Sequence, residues 1–176
     1  MRWRMPSAQF SRSTKEDRAD ALERLAHEGT PIGVLAYLDQ EPVGWCSVAP
    51  RESYAGLERY RALPRIDDRP VWSVVCFFIS ARIRRSGATL GILTAVDYAA
   101  SQGAEIIEGY PVEPDARLYT YMGSPATFRA AGFQDVTPPR PIAGGDAVSR
   151  RVELTDRQSA TQPCQERNLA KTCAAL

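Results

Sequence analysis

Apolar positions recur with two different periods along the chain. Leu22, Leu25 and Ala26 fall on one face of a helix predicted over residues 15–28. Ahead of it, Ser13 with Glu16, or equally Thr14 with Asp17, has the spacing of a capping box. Gly29 suits a left-handed helix terminus, and Pro31 bars continuation. Residues 1–12 show no period and read as irregular. Residues 33–38 and 42–48 are extended runs, and the polar break Asp39, Gln40, Glu41 between them predicts a hairpin. Residues 49–70 then form a long connection in which Tyr54, Leu57, Tyr60 and Leu63 are spaced as a short helix. Connections of that length carry function or cover a site.

The central stretch is the most informative. Residues 71–79 are an almost unbroken apolar run, as expected of a strand buried on both faces. Leu90, Leu93, Val96 and Ala100 mark a helix ending at Gly103, and residues 104–110 form the next strand, closed by Pro111. Strand, helix, strand makes a βαβ unit, which is parallel and right-handed. Residues 125–131 predict a short helix stopped by Gly132. Residues 133–136 and 148–154 predict two last strands, with Pro138, Pro139, Pro141, Gly144 and Gly145 forcing a loop between them. From Thr155 onward apolar periodicity disappears. The fold class expected is α/β, a mixed and centrally parallel sheet flanked by helices, as one domain over 1–154 with a flexible tail over 155–176.

A chain of 176 residues has room for one such domain and enough interior to need no metal or staple. The net charge of +1 gives no electrostatic case for a nucleic acid or an anionic membrane as partner. No apolar run reaches 18 residues, and residues 1–10 lack the apolar core of a signal peptide, so a soluble cytoplasmic protein is expected. One histidine and four widely spaced cysteines do not make a zinc or dithiol pattern, and no metal site is expected. Cys46 and Cys76 read as buried thiols inside strands, whereas Cys164 and Cys173 lie in the tail. The 20 arginines against 2 lysines are scattered, which reads as compositional bias.

A strand running through a glycine-containing turn into a helix is a ready anion site. The first amides of the helix have no partner within it, and the helix dipole favours negative charge there. Residues 85–89 offer those amides, Arg84 and Arg85 add charge, and Gly87 admits close approach. By spacing alone an ordinary turn fits as well. The segment is neither a Walker loop nor the dinucleotide GxGxxG pattern.

From residue 79 to 89 the sequence resembles the central motif of the GCN5-related N-acetyltransferases, and in particular a small bacterial subgroup, with Arg84 and Gly87 in register. Phe128, Arg129, Ala130, Ala131, Gly132 and Phe133 are similar to the family's aromatic-x-x-x-Gly-Phe segment, and Pro42, Val43, Gly44 and Trp45 to the second limb of its early hairpin. The resemblance covers about residues 30–154. It implies that the backbone of Phe77, Phe78 and Ile79 holds the pantetheine arm of acetyl-CoA. It also implies that Arg84, Arg85, Ser86, Gly87, Ala88 and Thr89 cradle the pyrophosphate, with Phe128 closing the site. Thr89 stands where many members have glycine, so the backbone there must be helical. Phe128 stands where many carry the tyrosine that protonates the departing thiolate, and phenylalanine has no proton to give. The family fold begins with an edge strand and a helix for which residues 1–14 leave little room, so either a truncated start or a reduced domain lacking both is expected.

The function implied is transfer of an acetyl group from acetyl-CoA to a primary amine by direct attack, with a backbone N–H of Phe78 or Ile79 near the carbonyl. Candidate bases are the carboxylates near strand ends: Glu108 first, then Glu113, Asp67, Asp68 and Glu52. Candidate acids are Tyr121, Tyr110 and Tyr119. Trp45, Trp72 and Tyr54 are core aromatics or walls of an acceptor pocket, and His27 is a helix-surface residue. The other classes are an acyl-CoA-binding sensor without turnover and an interaction domain. Expected partners are acetyl-CoA and a small-molecule or peptide amine, with a homodimer compatible.

Overall fold

The chain opens with a helix that the periodicity did not predict. α1 (Ser7–Arg12) has only six residues and buries none of them, so it carries no periodic apolar signal. Local bonds hold it: Ser11 Oγ donates to the Ser7 carbonyl at 3.0 Å, and the Arg18 guanidinium lies 4.7 Å from the centre of the Phe10 ring. α2 (Lys15–His27) starts in the Thr14 register. The Thr14 N–H donates to Asp17 Oδ2 at 2.8 Å, and the Asp17 N–H donates to Thr14 Oγ1 at 3.1 Å. The backbone bond from Thr14 holds the Asp17 carboxyl below the usual range. His27 sits on the exposed surface of α2, 3.7 Å from Glu23.

β1 (Val34–Leu38) and β2 (Glu41–Pro50) form the predicted hairpin. Its two turn residues, Asp39 and Gln40, have φ of 50° and 64°, the left-handed pair of a type I′ turn. A 3-10 turn (Arg51–Ser53) and the short α3 (Ala55–Glu58) follow in the long connection. β3 (Trp72–Ile79) pairs antiparallel with β2, α4 (Arg84–Ser101) crosses over, and β4 (Ile107–Gly109) pairs parallel with β3. After a second 3-10 turn (Thr120–Met122), α5 (Pro125–Ala130) is capped by Ser124, whose Oγ accepts from the Thr127 N–H. β5 (Gln134–Asp135) and β6 (Val152–Leu154) complete that side of the sheet, and β7 (Cys173–Ala175) lies at its other edge.

Among the described residues seven strands form one sheet, in the order β5-β6-β4-β3-β2-β1-β7. This computed structural model describes residues 1–81, 84–115, 118–136, 152–155 and 173–175, with 84–90 and 173–175 described by backbone only. The predicted 138–145 loop, the first part of the predicted 148–154 strand and Cys164 lie outside the described residues. Part of the segment expected as a flexible tail is a strand: β7 pairs antiparallel with β1, opposite Val34, Leu35 and Ala36. It occupies the sheet edge where the family fold was expected to lack its first strand. Three small residues carry no alternation to read, and the free backbone edge of β1 is what orders them.

Each face of the sheet has its own core. α4 and α5 cover one, through Ile92, Ala95, Ala99 and Phe128 against Val48, Val74 and Ile107. The other is covered by the N-terminal segment and the 51–63 connection, through Trp3, Tyr54, Leu57 and Leu63 against Ala49, Val75 and Tyr110. Gly56 allows that second cover to seat. Its N–H donates to the Trp3 carbonyl at 2.7 Å, and a Cβ there would stand 2.9 Å from the same oxygen. α2 contributes no fully buried residue, because a cavity separates it from the sheet. Among the described residues no helix is long and apolar enough to cross a membrane.

Candidate active site

β3 and β4 part company at mid-sheet. Their parallel ladder runs from Trp72 opposite Ile107 to Val74 opposite Gly109 and stops, whereas β3 continues to Ile79. At the same level β3 bulges against β2: Val48 faces Val74 and Ser47 faces Cys76, so Val75 has no opposite number. A bulge bends and twists its strand, which turns the far half of β3 away from β4. Beyond the fork the chain after β4 bonds elsewhere, the Val112 N–H donating to the Gly123 carbonyl at 2.9 Å.

Phe128 wedges the fork open. Its ring is fully buried, 6.0 Å from the Phe77 ring centre and 5.1 Å from that of Phe133. A Cβ on Gly109 would meet its Cε1 at 2.1 Å, so only glycine fits there. This corrects the expectation that Phe128 contacts the cofactor, since a fully enclosed ring offers a ligand no surface. Phe77 packs toward α4, while the Phe78 side chain is exposed. The predicted phosphate turn is the beginning of α4 itself: Arg84 to Thr89 are helical. The helical backbone at Thr89 removes the need for glycine, and the first amides of an 18-residue helix, which have no partner within the helix itself, lie five positions beyond the end of β3.

Two of the predicted catalytic residues are locked in the interior. Glu108 is 2% exposed, and its Oε2 accepts from Arg51 Nη1 at 2.9 Å and from the Tyr110 hydroxyl. Arg51, 1% exposed, also donates from Nε to Glu58 at 2.7 Å, from Nη1 to the Tyr110 oxygen at 2.8 Å and from Nη2 to the Leu63 carbonyl at 2.7 Å. The Tyr110 oxygen lies a further 2.8 Å from Ser73 Oγ. Burial opposes the Arg51 charge, but Tyr110, Glu108 and Glu58 more than restore it. Burial, then the Glu108 charge, pushes the Tyr110 phenol far up. A carboxylate bound in this way does not face an entering amine, which corrects the expectation for Glu108 as base and for Tyr110 as acid. The cluster ties the 51–63 connection to β3 and β4. Arg51 was missed because its partner Glu108 is 57 positions away.

Tyr121 is placed differently. It forms part of the wall of a cavity of about 550 Å³, between the sheet and the N-terminal helices, whose floor is Val75 and Cys76. The cavity therefore opens on the residues where β3 bends from β4. Burial, then the neighbouring Cys76 and Tyr119, pushes the Tyr121 phenol up, so its proton stays on at neutral pH. Burial also raises the Cys76 thiol to about 11 and the Tyr54 phenol to about 12. Of the three aromatics read as core or pocket wall, Trp45 and Tyr54 line this cavity. Trp72 instead packs on Tyr98 of α4, at 5.9 Å between ring centres. Glu113, Asp67, Asp68 and Glu52 do not line the cavity. Cys46 is a buried free thiol, and among the described residues no cluster could hold a metal ion.

Residues 1–123 match the model of the acetyltransferase (GNAT) family. The match takes in residues 1–29, ahead of the stretch whose motifs suggested the resemblance, and ends before Phe128. No curated protein matches the chain. Among solved structures, a GNAT-family protein from Desulfovibrio desulfuricans is similar with a TM-score of 0.54 and 13% identity, covering 81% of this chain and 82% of that one. The ribosomal-protein-alanine N-acetyltransferase of Brucella melitensis gives 0.50 and 16%, covering 81% and 79%. The yncA protein of Salmonella typhimurium, solved with its cofactor acetyl-CoA, gives 0.50 and 14%, covering 86% and 80%. At these identities the structures speak for the fold. The family match spans well over half of the sequence, and the protein accordingly belongs to the acetyltransferase (GNAT) family, a membership that implies acyl-CoA-dependent acyl transfer.

Proposed function

We propose that the protein is an N-acetyltransferase that moves an acetyl group from acetyl-CoA to the primary amine of an acceptor by direct attack. The observation that carries this reading is the fork: the β3–β4 ladder ends at Val74 and Gly109, and the cavity floor is Val75 and Cys76 immediately beyond. The fork suits an extended pantetheine arm along the backbone of Phe77, Phe78 and Ile79. The start of α4 at Arg84 suits its pyrophosphate. When bound, acetyl-CoA supplies an activated acyl carbonyl and a stable leaving thiolate.

The chain's own residues then have three tasks. Walls of the cavity hold the acceptor against the fork, which makes the reaction effectively unimolecular. No carboxylate among the described residues lines the cavity. Its cationic side chains Arg2, Arg4, Lys15 and Arg18 disfavour an ammonium and so favour the free amine that must attack. Proton loss to water then replaces a carboxylate base. Tyr121 places a hydroxyl on the cavity wall where Phe128 has none to offer, and burial makes its proton harder to release, so donation falls to it only as the thiolate departs. Glu108, Tyr110 and Arg51 act at one remove, by holding the start of the fork.

Isothermal titration with acetyl-CoA tests the donor site. One-site binding, weakened at least tenfold by Gly87→Trp, is expected, followed by thiol release in a screen of amines. Absence of binding by the folded protein overturns the proposal. Binding without thiol release from any amine would assign an acyl-CoA-binding module, which the missing hydroxyl of Phe128 favours.

A further inference from the structure

The cavity carries a charge pattern that its walls do not neutralise. Arg2, Arg4, Lys15 and Arg18 all line it, and among the described residues none of the four forms an ion pair with a carboxylate. Three arginines outside the cavity are paired. Arg51, Arg65 and Arg69 each hold two carboxylates within 4.0 Å. What sets the cavity apart is that four cationic side chains and, among the described residues, no carboxylate line one hollow, in a chain whose net charge is only +1.

Arg4 is the most constrained of the four. Its Nη2 donates to the Pro31 carbonyl at 2.9 Å and to the Tyr54 hydroxyl at 3.4 Å, and its guanidinium lies 4.6 Å from the centre of the Tyr54 ring. These contacts fix the group in one orientation. Its Nε and Nη1 are buried and have no acceptor among the described residues. Buried donors without acceptors and cations without counter-ions are both unfavourable. An anion brought into the cavity supplies the missing counter-charge. The rest of the wall is aromatic, with Phe10, Trp45, Tyr54 and Tyr121, over a floor of Val75 and Cys76.

We infer that the acceptor is an amine that also bears a carboxylate on an apolar or aromatic body, the carboxylate being held by the Arg4 side of the cavity. This deepens the proposed acetyl transfer and rests on it. An acceptor of this class resolves a tension in the site. The cations that keep its amine neutral would repel a simple alkylammonium, whereas a carboxylate on the same molecule restores attraction. Arg4 is thus a specificity-determining residue, and Lys15 and Arg18 add long-range pull.

The test uses the full chain and the product side of the reaction, so that binding is read without turnover. N-acetyl-L-phenylalanine and N-phenethylacetamide share an aromatic body and an acetamide and differ in the carboxylate. Titration calorimetry is expected to give at least tenfold tighter binding of the acid. Arg4→Met should weaken the acid roughly ten- to hundredfold and leave the neutral amide unchanged, the range of one charge-assisted contact. Added salt should weaken the acid alone. Thermal melts check folding; if Arg4→Met does not fold, the Lys15→Met/Arg18→Met double variant carries the test, with a smaller loss of acid affinity expected. Equal or weaker binding of the acid, binding of neither compound, or a preference that survives the variants overturns the inference. Acetyl-CoA is titrated in parallel. If it fails to bind while the acid binds, the acetyl-transfer reading falls and the carboxylate site stands; if it binds while the acid shows no advantage, only the carboxylate site falls.

Discussion

Gly109→Ala tests the fork more directly than any change in the cavity. The new Cβ would stand 2.1 Å from Phe128 Cε1, 2.6 Å from Cζ and 2.7 Å from Cδ1, against an optimal carbon–carbon separation of about 3.5–4.0 Å. The ring has no easy retreat. It is fully buried between the Phe77 and Phe133 rings, and Gly123 closes its far edge, where a Cβ would meet Cε2 at 3.1 Å. Overpacking of this kind destabilises by about 1–3 kcal/mol, and a clash of more than one ångström with a trapped ring belongs at the upper end. Phe128→Ala removes the ring and should destabilise by about 3–5 kcal/mol. With the ring gone the methyl at 109 has space, so Gly109→Ala in that background should change stability by less than about 1 kcal/mol. Urea unfolding followed by tryptophan fluorescence, run on the four proteins of the cycle, gives the coupling, expected at about 2 kcal/mol or more. Equal penalties for Gly109→Ala with and without Phe128 would refute the wedge and put the penalty on the backbone.

Two other outcomes follow from the buried groups. Glu108→Gln keeps the shape but leaves Arg51 short of a counter-ion, so stability should fall by about 2–4 kcal/mol in urea unfolding. The kcat of the remaining folded enzyme should stay within about threefold; a hundredfold loss of kcat with unchanged stability would reinstate Glu108 as base. Stability should also decline above pH 9. Burial raises the Cys76 thiol from 9.0 to about 11 and raises Cys46 and Tyr54 as well. Below pH 9 the folded and unfolded chains hold these protons alike. Between pH 9 and 11 the unfolded chain releases the Cys76 proton first, so unfolding is favoured by about 1 kcal/mol per pH unit for that group. Urea midpoints at pH 7.5, 9 and 10.5 should be level and then fall, with a shallower fall for Cys76→Ala; constant or rising stability to pH 10.5 would contradict the buried thiol.

Much of this architecture was written locally. The Thr14 and Asp17 cap, the hairpin at Asp39 and Gln40, the apolar run of β3 and the helix behind it all follow from interactions within a few positions of one another, so spacing alone reveals them. The motif from residue 79 to 89 carried the family as well, because an anion site at the start of a helix is built from consecutive amides. What spacing left undecided was decided between distant segments. Ser47 opposite Cys76 places the bulge at Val75, and Gly109 against Phe128 holds the fork. Glu108 looks like any strand-end carboxylate until Arg51 arrives from across the sheet and removes it from solvent. α1 was too short to show a period, and β7 exists through the open edge of β1. The cavity belongs wholly to this second category. Arg4 and Trp3 sit in a segment that reads as irregular, and they become walls only when Gly56 lets that segment dock on α3. Local hydrogen bonds and side-chain period act along the chain and can be read from it. Burial, electrostatic pairing and the shape of a hollow depend on which distant surfaces meet, and only the folded molecule brings them together.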